Sequence, residues 1–286
     1  MKIIDVIKGE KPSLSFEVFP PKTSDKYENV LAAAEKIAAL KPDYMSVTYG
    51  AGGGTSQYTG DIAARLMKAG VNSMAHLTCV SSTKEKVHEE LIRLKELGIN
   101  NVLALRGDIP EGFDKSKMQY RYAYELIEEI KEIGDFCIGG ACYPEKHPES
   151  ENGQKDLEYL KIKAEAGCEF FTTQMFFDNN ILYNFMYRML RAGVDVPVVA
   201  GIMPVTNAKQ IKKIFEISQN ALPQRFVRIV DRYGDKPEAM MQAGIAYATE
   251  QIIDLYANGV NAVHVYSMNK PEVAEAIKNN LSEIIK

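Results

Sequence analysis

Several short polar groups in this sequence combine residue types able to move protons or hold anions, and each closes an apolar run. Glu17 stands in Ser15-Phe16-Glu17-Val18-Phe19-Pro20-Pro21. A carboxyl enclosed by aromatic and branched neighbours loses hydration, which raises its pKa and makes it a usable general acid near neutrality. The alternative is an alternating strand whose Glu17 faces solvent or a polar neighbour. Arg106-Gly107-Asp108 ends another run, and Asp108 is either half of a structural ion pair with Arg106 or a charge aimed at a ligand. His147 lies in Tyr143-Pro144-Glu145-Lys146-His147-Pro148-Glu149, where two prolines stiffen a connection that either presents a group or lies on the surface. His76, inside Ser73-Met74-Ala75-His76-Leu77-Thr78-Cys79, reads by base rate as a satisfied core histidine, and His88 as a residue of an exposed helix face.

The elements that must carry these groups alternate. β-rich runs cover Ser13 to Pro20, Asp43 to Gly50, Ser73 to Cys79, Asn101 to Gly107, Asp135 to Tyr143, Glu169 to Phe176, Val196 to Met203 and Ala262 to Met268. Segments of helical period lie between them, from about 25–40, 58–68, 119–133, 154–166, 180–192, 207–219, 237–257 and 271–285, with another opening at Ser82-Thr83-Lys84-Glu85. Several helices end in glycine directly before the next strand, as at Gly70, Gly98, Gly167, Gly193 and Gly259, which fits a helix C-terminus of positive φ. Near-continuous apolar strands, each followed by a helix, argue a parallel sheet covered by helices. Eight such units imply one (β/α)8 TIM barrel over residues 1–286, with an extra helix between strands 7 and 8.

A barrel places its chemistry at the C-terminal strand ends. Read in order, these offer Glu17, Thr48 with Tyr49, His76 with Thr78, Arg106 to Asp108, Tyr143 with Glu145 and His147, Gln174, and Tyr266 with Asn269. The glycine-rich stretch Gly50-Ala51-Gly52-Gly53-Gly54-Thr55-Ser56 lacks the ending of a phosphate loop and the frame of a dinucleotide turn. It reads as a lid, a close backbone approach, or flexibility alone.

The chain has 286 residues, 46% of them hydrophobic, and 34 Lys+Arg against 38 Asp+Glu give a net charge of −4. No electrostatic footprint for nucleic acid exists. Apolar runs are strand-sized, well short of the ~20 residues that span a membrane, and the charged N-terminus is no secretory signal. A soluble, cytoplasmic protein is expected. Cys79, Cys137, Cys142 and Cys168 form no Cys-x-x-Cys pair and so read as reduced structural thiols. The four histidines sit on four separate elements, and no metal site is expected.

Taken together, Phe16-Glu17-Val18-Phe19-Pro20-Pro21-Lys22, Ser46-Val47-Thr48-Tyr49-Gly50-Ala51, His76-Leu77-Thr78-Cys79, Leu105-Arg106-Gly107-Asp108, Tyr143-Pro144-Glu145-Lys146-His147-Pro148 and Thr173-Gln174 resemble bacterial methylenetetrahydrofolate reductases. The likeness runs in order from about Ser13 to Met268. It implies an FAD-dependent barrel that takes hydride from NAD(P)H and reduces 5,10-methylenetetrahydrofolate to 5-methyltetrahydrofolate by a ping-pong route. In this resemblance Glu17 is the general acid that protonates N10 of the folate, and Asp108 acts beside flavin and pterin. Flavin contacts carry over to Thr48, His76, Arg106, Gly107, Asp108, Ala123, Tyr143, His147, Asp156 and Lys163. Folate contacts carry over to Glu17, Thr48, Gln174, Gln210, Tyr266 and Lys270. A homo-oligomer is expected.

The departures are Tyr159 and Ile162, where some relatives place polar flavin contacts, and Lys270 in place of an arginine, which keeps charge but loses the fork geometry. The chain ends after the last barrel helix, so the regulatory domain of longer relatives is not expected. Two other readings stand beside the reductase: a flavin- and folate-binding subunit that draws electrons from a partner protein complex, and a relative that works without flavin.

Overall fold

A computed structural model describes residues 1–21, 23–49, 56–211, 214 and 222–286, with Ser56 described by its backbone alone. Its eight strands close into a barrel in sequence order. They are β1 (Ser13–Val18), β2 (Met45–Val47), β3 (Ser73–Thr78), β4 (Asn101–Leu105), β5 (Cys137–Cys142), β6 (Phe170–Thr173), β7 (Val198–Ile202) and β8 (Ala262–Tyr266). Every neighbouring pair is parallel, and β8 closes on β1 with Ser15 against His264 and Glu17 against Tyr266. The eight expected strands are all present, most of them shorter at the ends than the apolar runs that announce them. Residues just beyond a strand, such as Thr48, Arg106 and Gln174, are therefore mouth residues and not ladder residues.

The outer ring comprises α2 (Tyr27–Ala38), α3 (Ser56–Lys68), α4 (Lys84–Glu96), α5 (Ala123–Ile133), α6 (Gly153–Ala166), α7 (Asn179–Arg191), α8 (Gln224–Tyr233), α9 (Pro237–Ala257) and α10 (Pro271–Asn280), preceded by α1 (Ile3–Ile7). Period-two alternation divides each strand between two cores. Leu14, Phe16 and Val18 join the shell between barrel and helices, which leaves Ser15 and Glu17 on the inward face. At the opposite end from the mouth, Ile3, Ile4 and Ile7 of α1 pack with Tyr44, Met74, Leu103, Phe170 and Val199. The backbone N–H of Ile3 donates to Asn101 Oδ1 at 2.8 Å, so α1 plugs the barrel floor.

Two helices depart from the sequence expectation. The α1 plug is a single turn and a half, too short for a helical period to register. Between β7 and β8 the expected helix over 207–219 lies largely outside the described residues, while α8 is an additional helix flanked by Pro223 and Gly234. Its Phe226 is buried, stacked on Phe177 and tilted against Tyr247, with ring centroids 5.0 Å from each. That satellite core, with Met175, Val205 and Met240, supports the mouth beside β6 and β7.

One glycine fixes how close two strands and a phenol can come. A Cβ on Gly201 would meet the Thr173 carbonyl oxygen at 2.3 Å and Tyr266 Oη at 2.4 Å. Replacing it forces backbone movement, and overpacking of this kind costs about 1–3 kcal/mol. Gly201→Ala is therefore expected to lower the urea unfolding free energy by about that amount, and an unchanged midpoint would show that the barrel yields more easily than this spacing implies.

Candidate active site

Glu17 occupies the last inward position of β1, between Ser46 on β2 and Tyr266 on β8. Its side chain is only 19% exposed. Desolvation pushes its carboxyl up to about 8. His76 on β3 brings Nε2 to 3.8 Å from Glu17 Oε2, and that nitrogen is buried without a hydrogen-bond partner. Burial pushes the imidazole down to about 3. Near neutral pH both groups are thus uncharged, a carboxylic acid beside a neutral imidazole, and their approach is not an ion pair. The expectation of a satisfied core histidine fails for His76, whose open nitrogen is free to meet a ligand.

That expectation holds instead for His264, which composition gave no reason to single out. Its Nδ1 lies 2.7 Å from Ser15 Oγ and its Nε2 2.8 Å from Ser46 Oγ. Tyr44 stacks on its ring at 5.6 Å and Tyr266 meets it edge-on at 5.7 Å. Tyr266 is pinned in turn, since its hydroxyl donates to the Thr173 carbonyl at 2.5 Å. A polar layer therefore lies directly under Glu17. The only sequence signal for it was serine at an inward position of two strands and histidine inside a third.

The chain beyond β8 grips the chain beyond β1. Ser267 Oγ donates to the Glu17 carbonyl at 2.8 Å. Asn269 accepts from Phe19 N–H and donates to Phe19 C=O, both at 2.9 Å. To do so Met268 and Asn269 both adopt left-handed backbone, at φ 55° and 53°, the kind of strain that persists where surrounding structure over-determines it. Lys270 Nζ then reaches Thr206 Oγ1 at 2.8 Å, and Gln210 Oε1 accepts from Thr206 and Asn207 N–H. Lys270 and Gln210 thus share one corner of the mouth, although Gln210 spends its carbonyl on capping a helix start. Gln174 Oε1 likewise accepts from Met175 N–H at 2.9 Å, which leaves the amide NH2 as its remaining donor group.

A second cluster gathers at the ends of β4 and β5. Position 107 needs glycine on two counts, a φ of 83° and a Cβ that would meet Thr78 Cβ at 2.9 Å. Arg106 forms an ion pair with Glu149, so the Arg106–Asp108 pair allowed by the sequence gives way to this one, and Asp108 projects exposed at the rim. The ring of Tyr143 meets that of His147 edge-on at 4.5 Å. Glu149 N–H donates to His147 Nδ1 at 3.1 Å, which assigns the ring proton to Nε2, while desolvation and the Arg106 charge lower the pKa. On α6, Asp156 accepts from His147 N–H at 3.2 Å and Lys163 Nζ donates to the Ala141 carbonyl at 2.9 Å. Burial lowers the Lys163 pKa. Ala123 opens α5 close by, after Tyr122. The ring of Tyr122 stacks on Tyr159 at 5.0 Å, so Tyr159 faces a neighbouring aromatic, and Ile162 is exposed.

Thr48, His76, Tyr266 and Glu17 belong to the first cluster with Gln174, Gln210 and Lys270 around its rim, and the remaining expected residues belong to the second. The glycine-rich stretch 50–55 and Lys22 lie outside the described residues. Among the described residues, no group of three or more His, Cys, Asp or Glu side chains is placed to hold a metal. All four cysteines are buried and unpaired, and no described helix is long and apolar enough to cross a membrane.

Comparison with known proteins decides what this mouth belongs to. Residues 2–282 match the family described as methylenetetrahydrofolate reductase. The chain belongs to that family. The 5,10-methylenetetrahydrofolate reductases of Pectobacterium carotovorum and Escherichia coli are 37% and 36% identical to it over 270 residues, 94% of this chain and 90% of theirs. Methylenetetrahydrofolate reductase (NADH) 1 of Arabidopsis thaliana is 35% identical over 99% of this chain and 51% of its own length. A Clostridium thermocellum protein that binds two copies of 5-methyl-5,6,7,8-tetrahydrofolic acid shares the fold, at a TM-score of 0.68 over 99% of both chains and 14% identity. As a methylenetetrahydrofolate reductase the protein is an oxidoreductase of one-carbon metabolism.

A reductase that keeps an acid protonated by burying it sacrifices stability as pH rises. With a folded pKa near 8 against an ordinary 4.5, the native state binds more protons than the unfolded one between those values, so stability falls across that window. Glu17→Gln removes the effect. Its stability relative to the unmutated protein is expected to grow with pH by up to about 1.4 kcal/mol per unit from pH 5 to 8, read from urea titrations. A pH-independent difference would mean that Glu17 ionises normally.

Proposed function

We propose that the barrel mouth binds FAD and reduces 5,10-methylenetetrahydrofolate to 5-methyltetrahydrofolate with electrons from NAD(P)H, Glu17 serving as the general acid. The observation that carries this reading is the Glu17 carboxyl, poised at about 8 by desolvation at the mouth of the barrel. An acid of that strength is protonated at neutral pH and still able to release its proton to a substrate nitrogen. Support for a folate comes from the family and from the structural relative that binds methyltetrahydrofolate.

The residues present fit a flavin dinucleotide. His76 offers a buried nitrogen with no partner, the kind of group a ring system with donor and acceptor edges satisfies. His147 presents an Nε2 proton, and Lys163 and Arg106 supply positive charge suited to a pyrophosphate. Thr48, Gly107, Asp108, Ala123, Tyr143 and Asp156 complete the proposed cradle, with Gly107 allowing close backbone approach. When bound, the flavin supplies hydride transfer between the nicotinamide and the folate.

Tyr266, held by Thr173, and Gln174, through its amide, would orient the pterin, while Lys270 and Gln210 meet the outer part of the folate. Glu17 delivers its proton to N10, which opens the imidazolidine ring to a cation. Asp108, at the rim, stabilises developing positive charge.

Glu17→Gln should leave flavin reduction by NADH or NADPH nearly intact in stopped-flow absorbance and abolish folate reduction. In the unmutated protein the folate half-reaction should fall as pH rises through about 8, the value of the Glu17 carboxyl. A glutamine variant reducing folate at the normal rate would sink the acid assignment. Asp108→Asn should change the rates of both half-reactions, and unaltered kinetics in both would remove Asp108 from the chemistry.

A further inference from the structure

We propose that Thr206 is a positioning residue for Lys270: its hydroxyl fixes the ammonium at the corner of the mouth where a carboxylate at the outer end of the folate is met. The place of Lys270 on the folate rests on the proposed folate reduction, whereas the contact that positions it belongs to the ligand-free protein. Lys270 Nζ lies 2.8 Å from Thr206 Oγ1, although the two residues are 64 apart in the chain. An ammonium can only donate, so the direction of this bond is settled and the hydroxyl oxygen accepts.

Thr206 is itself tightly held. It is only 5% exposed, and its backbone N–H donates to Gln210 Oε1 at 3.0 Å. The N–H of Asn207 donates to the same oxygen at 3.1 Å, so two backbone donors tie the start of this segment to one side chain. On the other side, Val205 is pressed against α9. A Cβ on Gly244 would meet the Val205 carbonyl oxygen at 2.0 Å, and glycine there lets the helix backbone bear directly on the segment. Val205 also joins Phe226 and Met240 in the satellite core.

Lys270 needs such a partner. Its backbone is anchored, since its N–H donates to the Ser267 carbonyl and its own carbonyl accepts from Val273 N–H, both at 3.1 Å. Its side chain is a flexible four-carbon stem ending in a compact charge, without the rigid fork that aims an arginine. Ordering that stem only when a ligand arrives would weaken binding, and a stem ordered beforehand avoids the loss. Among the described residues no carboxylate forms an ion pair with Lys270. The ammonium is therefore held by a neutral hydroxyl that takes one of its three protons, and its charge stays uncompensated by these residues. That combination suits an anionic group brought in by a ligand.

The test is calorimetric binding of two ligands to the purified protein: 5-methyltetrahydrofolate, and 5-methyltetrahydropteroate, the same ring system cut short of the glutamate. Thr206→Val keeps the shape of the side chain and removes the acceptor. It should weaken the folate about tenfold and leave the affinity for the truncated compound unchanged. Thr206→Ser retains the hydroxyl and should bind both as the unmutated protein does. Lys270→Met should weaken the folate at least as much, and adding Thr206→Val to it should bring no further loss. Normal folate binding by Thr206→Val, with Lys270→Met weakened, would overturn the positioning role and leave the folate reading standing. An equal loss of both ligands would also overturn it, because valine would then be disturbing the mouth as a whole. Normal folate binding by Lys270→Met would remove Lys270 from the folate, and the positioning role would fall with it.

Discussion

The structure turns on a carboxylic acid denied the means to ionise. Burying an ionised carboxylate without a partner costs several kcal/mol, and a protein relieves that cost by neutralising the group. Among the described residues desolvation is what acts on Glu17, and the imidazole of His76, 3.8 Å from its carboxyl, is itself neutral. The state this produces is a proton held loosely at the mouth of a barrel, the state on which the proposed acid role of Glu17 rests.

The fold serves that state from three directions. The β8 extension fixes where the acid points, through Ser267 on the Glu17 carbonyl and Asn269 on both polar groups of Phe19. The polar layer of Ser15, His264 and Ser46 fills the barrel below it, where barrels of this class more often pack branched aliphatic side chains. Gly201 admits the Tyr266 phenol to its place across β7. Among the described residues Arg106, Asp108, Asp156, Lys163 and Glu149 gather instead at the ends of β4 and β5, with Lys270 at the rim of the Glu17 cluster.

Much of this was legible in the residues, and the rest failed for identifiable reasons. The strand-helix alternation announced the barrel because both faces of each strand are buried and read as apolar runs. Glu17 stood out because a carboxyl inside such a run has few structural uses. Arg106 and Asp108 misled, since neighbours in sequence suggest a pair, whereas the partner of Arg106 is Glu149, brought back by a stiff loop 43 residues later. His264 passed unremarked because its meaning lies in Ser15 and Ser46, both more than 200 residues away in the chain. The α1 plug is too short to show a period, whereas α8 is as long as α10 and lies between the two helical segments the sequence offered there, so it was passed over as connection.

Neutron diffraction from deuterated, ligand-free crystals at neutral pH tests the central claim most directly, because it sees the protons on which the account depends. It should show a deuteron on the Glu17 carboxyl and a singly protonated imidazole at His76. An ionised Glu17 beside a doubly protonated His76 would contradict it.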